Sequence, residues 1–186
     1  MNAAAVPGPV GMDLFTAMRK RRMHRAFAPD PVPRDVLEQL VWAAARAATA
    51  RAGIRHLVVV DDLAIVRTFR QACPGFVNDA PAAIVICTDL EAAATVGGRS
   101  GTDEVGRIDA GTAAAHLTLA APALGLGACI VTSWTASAVR AVIEAPPNIR
   151  PEILVAIGYP AATPSMAFKA PPRIVHENRY GTPWEA

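Results

Sequence analysis

The sequence has few of the features that would place it in a specialised class of protein. No apolar run approaches the roughly 20 residues that a transmembrane helix needs, so we expect no membrane partner. The three cysteines, Cys73, Cys87 and Cys129, form no Cys-x-x-Cys pair, and no histidine stands at metal-ligand spacing from them. We therefore expect reduced structural thiols in a cytoplasmic protein, and no metal site.

The sequence also has little excess of positive over negative charge. The formal net charge is only +2, which is too small for the basic footprint of a nucleic-acid-binding domain. The cations are nevertheless clustered at residues 19–22 and at Arg25. A local cluster without a high overall charge suits a small anionic ligand, such as one phosphate group, better than a polyanion.

The chain contains enough apolar residues to form a sizeable hydrophobic core. With 186 residues, of which 52% are hydrophobic, it has the length of one domain. We expect a flexible leader over residues 1–11, which prolines and a glycine interrupt and which lacks the basic start of a signal peptide. Residues 12–186 should form the single domain.

Apolar periodicity and turn residues predict helices that alternate with short buried strands. The expected helices cover about 13–22, 34–50, 61–72, 110–124 and 137–144, and the expected strands cover about 56–60, 82–88, 129–131 and 153–157. The glycines within 91–106 make that stretch the most loop-like, and Pro122 should bend the long helix. Such a pattern gives an α/β or α+β sandwich. Periodicity alone does not separate it from a doubly wound nucleotide fold.

Three short motifs could carry chemistry. Arg21, Arg22 and Arg25 follow the end of the first helix, where two of them can converge on one anion; a solvated helix end is the alternative. Gly125-Leu126-Gly127 precedes a strand, and glycine there permits positive φ and a close approach of the backbone to a ligand, although a plain helix C-cap has the same pattern. Asp109-Ala110-Gly111 reads as a helix N-cap.

The motifs in this order resemble the nitroreductase family of FMN-dependent oxidoreductases, from about Asp13 to Gly181. The resemblance also uses Ile157-Gly158-Tyr159-Pro160 and the segment from Val175 to Gly181. It implies an α+β sandwich whose mixed, mainly antiparallel sheet carries helices on both faces. It further implies a homodimer with two flavins at the subunit interface and an exchanged C-terminal tail.

The resemblance assigns the phosphate end of the cofactor to basic residues. Arg21, Arg22, Met23 and Arg25 occupy the family segment that holds the FMN phosphate and the pyrimidine edge of the ring, with Met23 in place of a serine. Lys169, with Arg173 as the fallback, would complete the phosphate site.

The resemblance assigns the reactive edge of the flavin to the backbone after the glycine turn. Amides of Ile130, Val131 and Thr132 are the candidates for a contact with flavin N5. No catalytic side chain is expected, because the chemistry is centred on the flavin.

One segment departs from the family pattern. Relatives follow the second helix with a Ser-x-x-Asn-x-Gln-Pro-Trp loop, whose polar side chains bind the ribityl chain and the ring. Residues 47–56 here lack the Asn, Gln and Trp, and Thr49, Arg51 and Arg55 are the polar substitutes. Either flavin contacts have been lost, at about 1–3 kcal/mol for each unpaired polar edge, or Arg51 or Arg55 supplies a positive charge near the ring.

Two functions follow. The first is an FMN-dependent oxidoreductase that transfers hydride from NADH or NADPH, through the flavin, to a nitroaromatic, quinone or similar acceptor. The alternative is a non-catalytic protein on the same fold that binds or stores a flavin or another phosphorylated ligand, since the basic motif is kept while the ring-binding loop is altered. A pure assembly role is a third hypothesis.

Overall fold

Helices and strands alternate along the computed structural model, which describes residues 12–76, 79–161 and 174–184. The helices are α1 (Leu14–Lys20), α2 (Arg34–Ala45), α3 (Leu63–Ala72), α4 (Leu90–Gly97), α5 (Gly106–Ala120) and α6 (Ala136–Val142). The strands are β1 (Arg55–Val60), β2 (Ala82–Asp89), β3 (Gly127–Val131) and β4 (Ile149–Gly158). The predicted leader, residues 1–11, lies outside the described residues.

Aspartates start three of the helices. The carboxylates of Asp13, Asp62 and Asp89 accept hydrogen bonds from backbone amides in the first turns of α1, α3 and α4, at 3.0, 2.7 and 2.9 Å. Each bond satisfies an amide that has no partner within its helix. The cap at Asp13 and the helix start at Asp61-Asp62 were predicted from the sequence.

The four strands form one antiparallel sheet in the order β1-β2-β4-β3. A register shift between Ile86 and Cys87, opposite Pro151, places a bulge in β4. The proline is tolerated there because a bulge interrupts the ladder of hydrogen bonds. A parallel bridge between Met23 and Ala128 extends the pairing beyond β3. The predicted mainly antiparallel sheet of the α+β class is confirmed.

Helices cover both faces of the sheet. On one face Ile84 and Ile86 pack with buried residues of α2 and α5. On the other, Ala83 and Val85 pack with buried residues of α3 and α6. Strand β2 is buried on both sides because successive side chains point to opposite faces, which explains its unbroken apolar run. The predicted sandwich is confirmed.

The stretch 91–106 is not the loop that the sequence predicted. It contains α4 and a π-helical turn, Gly101–Val105. Two of its glycines serve close packing: a Cβ on Gly101 would lie 2.1 Å from the Ala93 carbonyl oxygen, and one on Gly106 would lie 2.5 Å from the Thr88 Cγ2. These two mark contacts between elements, whereas Gly98, with φ of 56°, ends α4.

The ends of two helices also differ from the prediction. Helix α2 ends at Ala45 and not near residue 50. Helix α5 begins at Gly106, and it ends at Ala120 before a 3-10 turn that contains Pro122. Gly125 follows with φ of 73°, the left-handed conformation that glycine adopts without steric cost.

All three cysteines are buried and unpaired by disulfide. Burial raises the pKa of the Cys87 thiol to about 12, and the nearby Glu152 carboxylate adds to the shift. Burial also raises the pKa of Cys73 and Cys129. The thiols stay protonated and act as small apolar groups, as predicted.

Candidate functional site

The basic segment 21–25 is held against the first residues of β3. Met23 forms a parallel bridge with Ala128, and the His24 amide donates to the Ala128 carbonyl at 3.1 Å. Gly127 permits this contact, because a Cβ at that position would lie 2.8 Å from the Cβ and the Cγ of His24. The glycine therefore serves a close contact with His24 of the same chain, and the predicted approach of the backbone to a ligand stays a prediction.

A cavity of about 340 Å³ lies between this segment, β3 and α5. Its lining residues are Arg21, Met23, Gly111, Ala115, Thr118, Leu119 and Ile130. Three of these, Arg21, Met23 and Ile130, are predicted cofactor residues, and Ile130 lies more than a hundred residues after the other two in the sequence. The structure brings them to one place.

The wall that α5 contributes was not predicted. Ala115 lies four residues after Gly111, and Thr118 and Leu119 lie three and four residues after Ala115, spacings that place these residues on one helix face. Thr118 is buried, and its hydroxyl donates to the Ala115 carbonyl at 3.1 Å. The run of small residues at this spacing is a signal that could have identified the wall.

The other two arginines of the basic motif, Arg22 and Arg25, do not line the cavity. The Arg22 guanidinium donates to the carbonyl oxygens of Arg19 and Arg21, at 2.6 and 2.9 Å, at the end of α1. This matches the alternative interpretation of the motif, in which a cation stabilises a helix end. Arg25 is exposed, and its charge partly offsets the rise that burial causes in the pKa of the Cys129 thiol.

His24, inside the same motif, has a lowered pKa. Partial burial is the larger cause, and the positive charge of Arg22 is the smaller one. Both effects disfavour the protonated imidazole. The ring is therefore neutral at pH 7 and adds no positive charge to the segment.

The two remaining strand candidates lie at the end of β3. Val131 is buried, and its carbonyl accepts a hydrogen bond from the Trp134 indole at 2.9 Å. Thr132 is exposed. Neither lines the cavity together with Ile130, so their predicted contact with a flavin stays a prediction.

The sequence predicted that Asp109 caps its own helix, and this prediction is wrong. It lies inside the first turn of α5, and its carboxylate accepts from the Thr49 hydroxyl at 2.6 Å and from the Ala50 amide at 3.0 Å. Thr49, a predicted cofactor residue, therefore donates its hydroxyl hydrogen bond to a group of the protein itself. The correction has a simple reason, since α5 begins at Gly106, four residues before the predicted start of the helix at residue 110.

The arginines of the altered loop are also engaged within the chain. The Arg55 guanidinium donates to the carbonyls of Ala45, Ala47, Ala48 and Asp109, at 3.1 to 3.3 Å. Several of these carbonyls follow the end of α2, where helices leave acceptors unpaired. Arg51 donates to the Thr95 hydroxyl of α4 at 3.2 Å.

The second predicted phosphate element cannot be placed, because Lys169 and Arg173 lie outside the described residues. Residues 174–184 form a small antiparallel turn with a bridge between His176 and Pro183. The His176 and Tyr180 rings are 4.6 Å apart. Ile174, Tyr180 and Trp184 are exposed on this turn.

Within the described ranges, no helix is long and apolar enough to cross a membrane. The same ranges contain no group of three or more His, Cys, Asp or Glu side chains arranged to hold a metal ion.

Comparisons with known proteins agree on one family. The family model described as "Nitroreductase family" matches residues 18–73 and 57–159. A protein of Thermus thermophilus named NADH dehydrogenase is 31% identical over 180 residues, which cover 81% of this chain and 88% of that protein.

Solved structures agree with the sequence comparisons. An FMN-dependent nitroreductase from Clostridium difficile R20291 is 25% identical, with a TM-score of 0.75 over 88% of this chain and 98% of that chain. The NADPH:FMN oxidoreductase from Vibrio harveyi, solved in complex with NAD⁺, is 22% identical with a TM-score of 0.75, over 90% of this chain and 77% of that chain. The second likeness shows the fold alone.

Proposed function

The chain belongs to the nitroreductase family, and from this premise we propose that it is an FMN-dependent oxidoreductase. It takes hydride from NADH or NADPH and reduces a small-molecule acceptor of the nitroaromatic or quinone class. One observation supports the proposal most directly: Arg21, Met23 and Ile130 converge on one cavity beside the small-residue face of α5.

The residues present suit a flavin mononucleotide. Met23, Leu119 and Ile130 give the cavity apolar walls, and Gly111 leaves open space, since a Cβ there would meet no atom within 4 Å. A planar aromatic ring needs such walls. Arg21 contributes a fork of donors that matches the geometry of a phosphate group. An apolar slot with one cation at its edge fits the two halves of this cofactor.

Each protein group then has a simple task. Arg21 binds the phosphate, with Lys169 or Arg173 proposed as the second cation. Met23 and Ile130 exclude water from the ring, and the backbone of residues 130–132 orients its reactive edge. Hydride transfer itself is chemistry that a bound flavin supplies. No side chain therefore has to act as a general acid or base.

The proposed assembly is a homodimer. Leu14, Phe15 and Met18 project from α1 as exposed apolar side chains, and Ile108 does so from α5; Phe15 is 67% exposed. Monomeric proteins seldom leave such patches uncovered. Because Arg21 directly follows α1 and because α5 lines the cavity, a second copy on this face also closes the site. The exposed apolar residues of the 174–184 turn fit the proposed tail exchange, and we place the enzyme in the cytoplasm.

Steady-state kinetics tests the proposal. Protein supplied with FMN should oxidise NADH or NADPH when a quinone or a nitroarene is present. Arg21→Ala combined with Lys169→Ala should lose FMN retention and this activity together. Turnover by the double variant equal to that of the wild type would remove the assigned phosphate site.

The binding-protein alternative keeps one observation in its favour. The Thr49 hydroxyl and the Arg55 guanidinium of the altered loop are occupied by internal hydrogen bonds. A protein that only stores flavin has less need of ring contacts. It would bind FMN and oxidise neither NADH nor NADPH, whichever acceptor is supplied.

A further inference from the structure

A second cavity lies on the face of the sheet opposite α5. It has a volume of about 370 Å³ and lies between α3, Pro29 and the segment of residues 79–81. Its lining includes Val66 and Phe76, which are 3% and 1% exposed and belong to the core cluster on that face. None of its lining residues lines the cavity assigned to FMN. Small-molecule sites are typically cavities of this size, with mainly apolar walls and a few polar groups.

The walls of this second cavity are held in place by the end of the sheet. A Cβ on Gly158 would lie 2.5 Å from the Pro81 Cδ, so Pro81 packs directly on the last residue of β4. Pro29 forms another part of the wall, and the Ala28 amide just before it donates to the Tyr159 carbonyl at 2.8 Å. Both prolines also have a restricted φ. A cavity with such fixed walls loses little conformational freedom when it takes up a ligand.

Helix α3 contributes two arginines to the lining. Arg67 and Arg70 lie four and seven residues after Leu63, spacings that place these three residues on one helix face, and all three line the cavity. The Arg70 guanidinium pairs with the Asp79 carboxylate, which belongs to the opposite wall. Both side chains of this pair are exposed, and exposed ion pairs are weak. Among the residues that the structure describes, Arg67 has neither an ion pair nor a side-chain hydrogen bond.

The charges of the lining define the ligand that fits. The charged lining residues are Arg67, Arg70 and Asp79, which carry two positive charges and one negative charge. A ligand with one negative charge therefore neutralises the lining, whereas a phosphate group carries about 1.5 to 2 negative charges at pH 7. The pairing of Arg70 with Asp79 shows that a carboxylate fits the donors at this point. A guanidinium presents a planar fork of donors that matches a carboxylate.

We propose that this cavity binds a small monocarboxylate whose other end is an apolar ring or chain. The apolar end lies against Val66 and Phe76. The carboxylate of the ligand lies between Arg67 and Arg70, where it competes with Asp79 for the second guanidinium. The site is separate from the cavity assigned to FMN, so the proposal does not depend on the proposed function.

Isothermal titration calorimetry with cinnamate tests the proposal, on the full chain with and without FMN. Cinnamate should bind saturably in both states, with a Kd below about 1 mM. Acetate has the charge without the ring, and cinnamyl alcohol has the ring without the charge. Each should bind at least about tenfold more weakly than cinnamate. In nuclear magnetic resonance spectra, the amide signals of α3 and of Phe76 should shift when cinnamate is added.

Two variants should change the affinity for cinnamate in opposite directions. Arg67→Gln removes the cation without a partner and should weaken binding about tenfold. Asp79→Asn removes the competing carboxylate and should strengthen binding about threefold. Both positions are exposed, so both variants should fold. Arg140→Gln is the matched control, because it makes the same chemical change on α6 outside the cavity, and it should keep the wild-type affinity.

Several results would overturn the site. One is the absence of saturable cinnamate binding to the wild type, and another is equal affinity in Arg67→Gln and the wild type. An affinity that falls in Arg21→Ala but not in Arg67→Gln would place cinnamate in the cavity assigned to FMN. Unchanged or weaker binding by Asp79→Asn would contradict the competition between the two carboxylates. If the protein binds no FMN, the proposed function fails, and the titrations without FMN still decide whether this second site exists.

Discussion

Replacing Gly127 by alanine tests how the basic segment is seated on β3. The added Cβ would lie 2.8 Å from the His24 Cβ and Cγ and 3.0 Å from its Cδ2. The imidazole can rotate away, but the Cβ of His24 is fixed by the backbone, so the segment itself must move. Overpacking of this kind costs about 1–3 kcal/mol.

The expected result is a loss in both stability and cofactor affinity. For a chain of this length, about 1 kcal/mol shifts the melting temperature by about 2–4 °C, so Gly127→Ala should melt about 2–12 °C below the wild type. Displacement of the Met23–Ala128 bridge moves Met23 and Arg21 at the cavity, and FMN should bind about tenfold more weakly, or about 1.4 kcal/mol.

Scanning calorimetry and titration with FMN measure the two effects. Gly97→Ala in α4 is the matched control, since its Cβ would meet only the Ser100 Cβ at 3.9 Å and alanine favours a helix by up to about 1 kcal/mol. The packing argument would be refuted if Gly127→Ala had the melting temperature and the FMN affinity of the wild type.

Three further predictions concern the cavity, the protonation of His24 and the assembly. Gly111→Ala should stabilise the FMN-free protein by up to about 1 kcal/mol, because it adds helix propensity without a clash. It should also weaken FMN binding, because its methyl group enters the cavity. Calorimetry should therefore show a higher melting temperature, and titration should show a lower FMN affinity. Because the pKa of folded His24 lies below its ordinary value of 6.5, the unfolded chain binds the proton first, so stability should fall as the pH drops through about 6.5; in melting curves, His24→Gln should lose less stability on acidification than the wild type does. Phe15→Glu should yield monomers in sedimentation at micromolar concentration, whereas a wild-type monomer would contradict the proposed dimer.

The parts of the fold that the sequence predicted are those with local causes. Asp13 and Asp62 cap helices through amides two or three residues away. The apolar run of β2 indicated a strand buried on both faces, and both faces are covered. Such features need no knowledge of distant neighbours, because short-range geometry determines them.

The errors have long-range causes. Gly101 and Gly106 looked like loop residues, but their neighbours Ala93 and Thr88 belong to packed elements. Asp109 looked like a cap, but its hydroxyl partner is 60 residues away in the sequence. No local pattern reports such a pairing.

The candidate site was predictable in part for the same reasons. The basic motif indicated Arg21, the family resemblance added Met23 and Ile130, and the structure places these three on one cavity. Distinguishing Arg21 from Arg22 required the end of α1, where Arg22 donates to backbone carbonyls. The polar substitutes in the altered loop could not be interpreted without their partners in α4 and α5.

An anaerobic absorption spectrum tests the central claim most directly. Protein reconstituted with FMN is passed through a desalting column, mixed with NADPH or NADH, and then with a quinone. We predict that the flavin band stays with the protein, fades with one of the two donors, and returns with the quinone. A protein that retains no flavin, or whose bound flavin neither donor reduces, would contradict the assignment as an oxidoreductase.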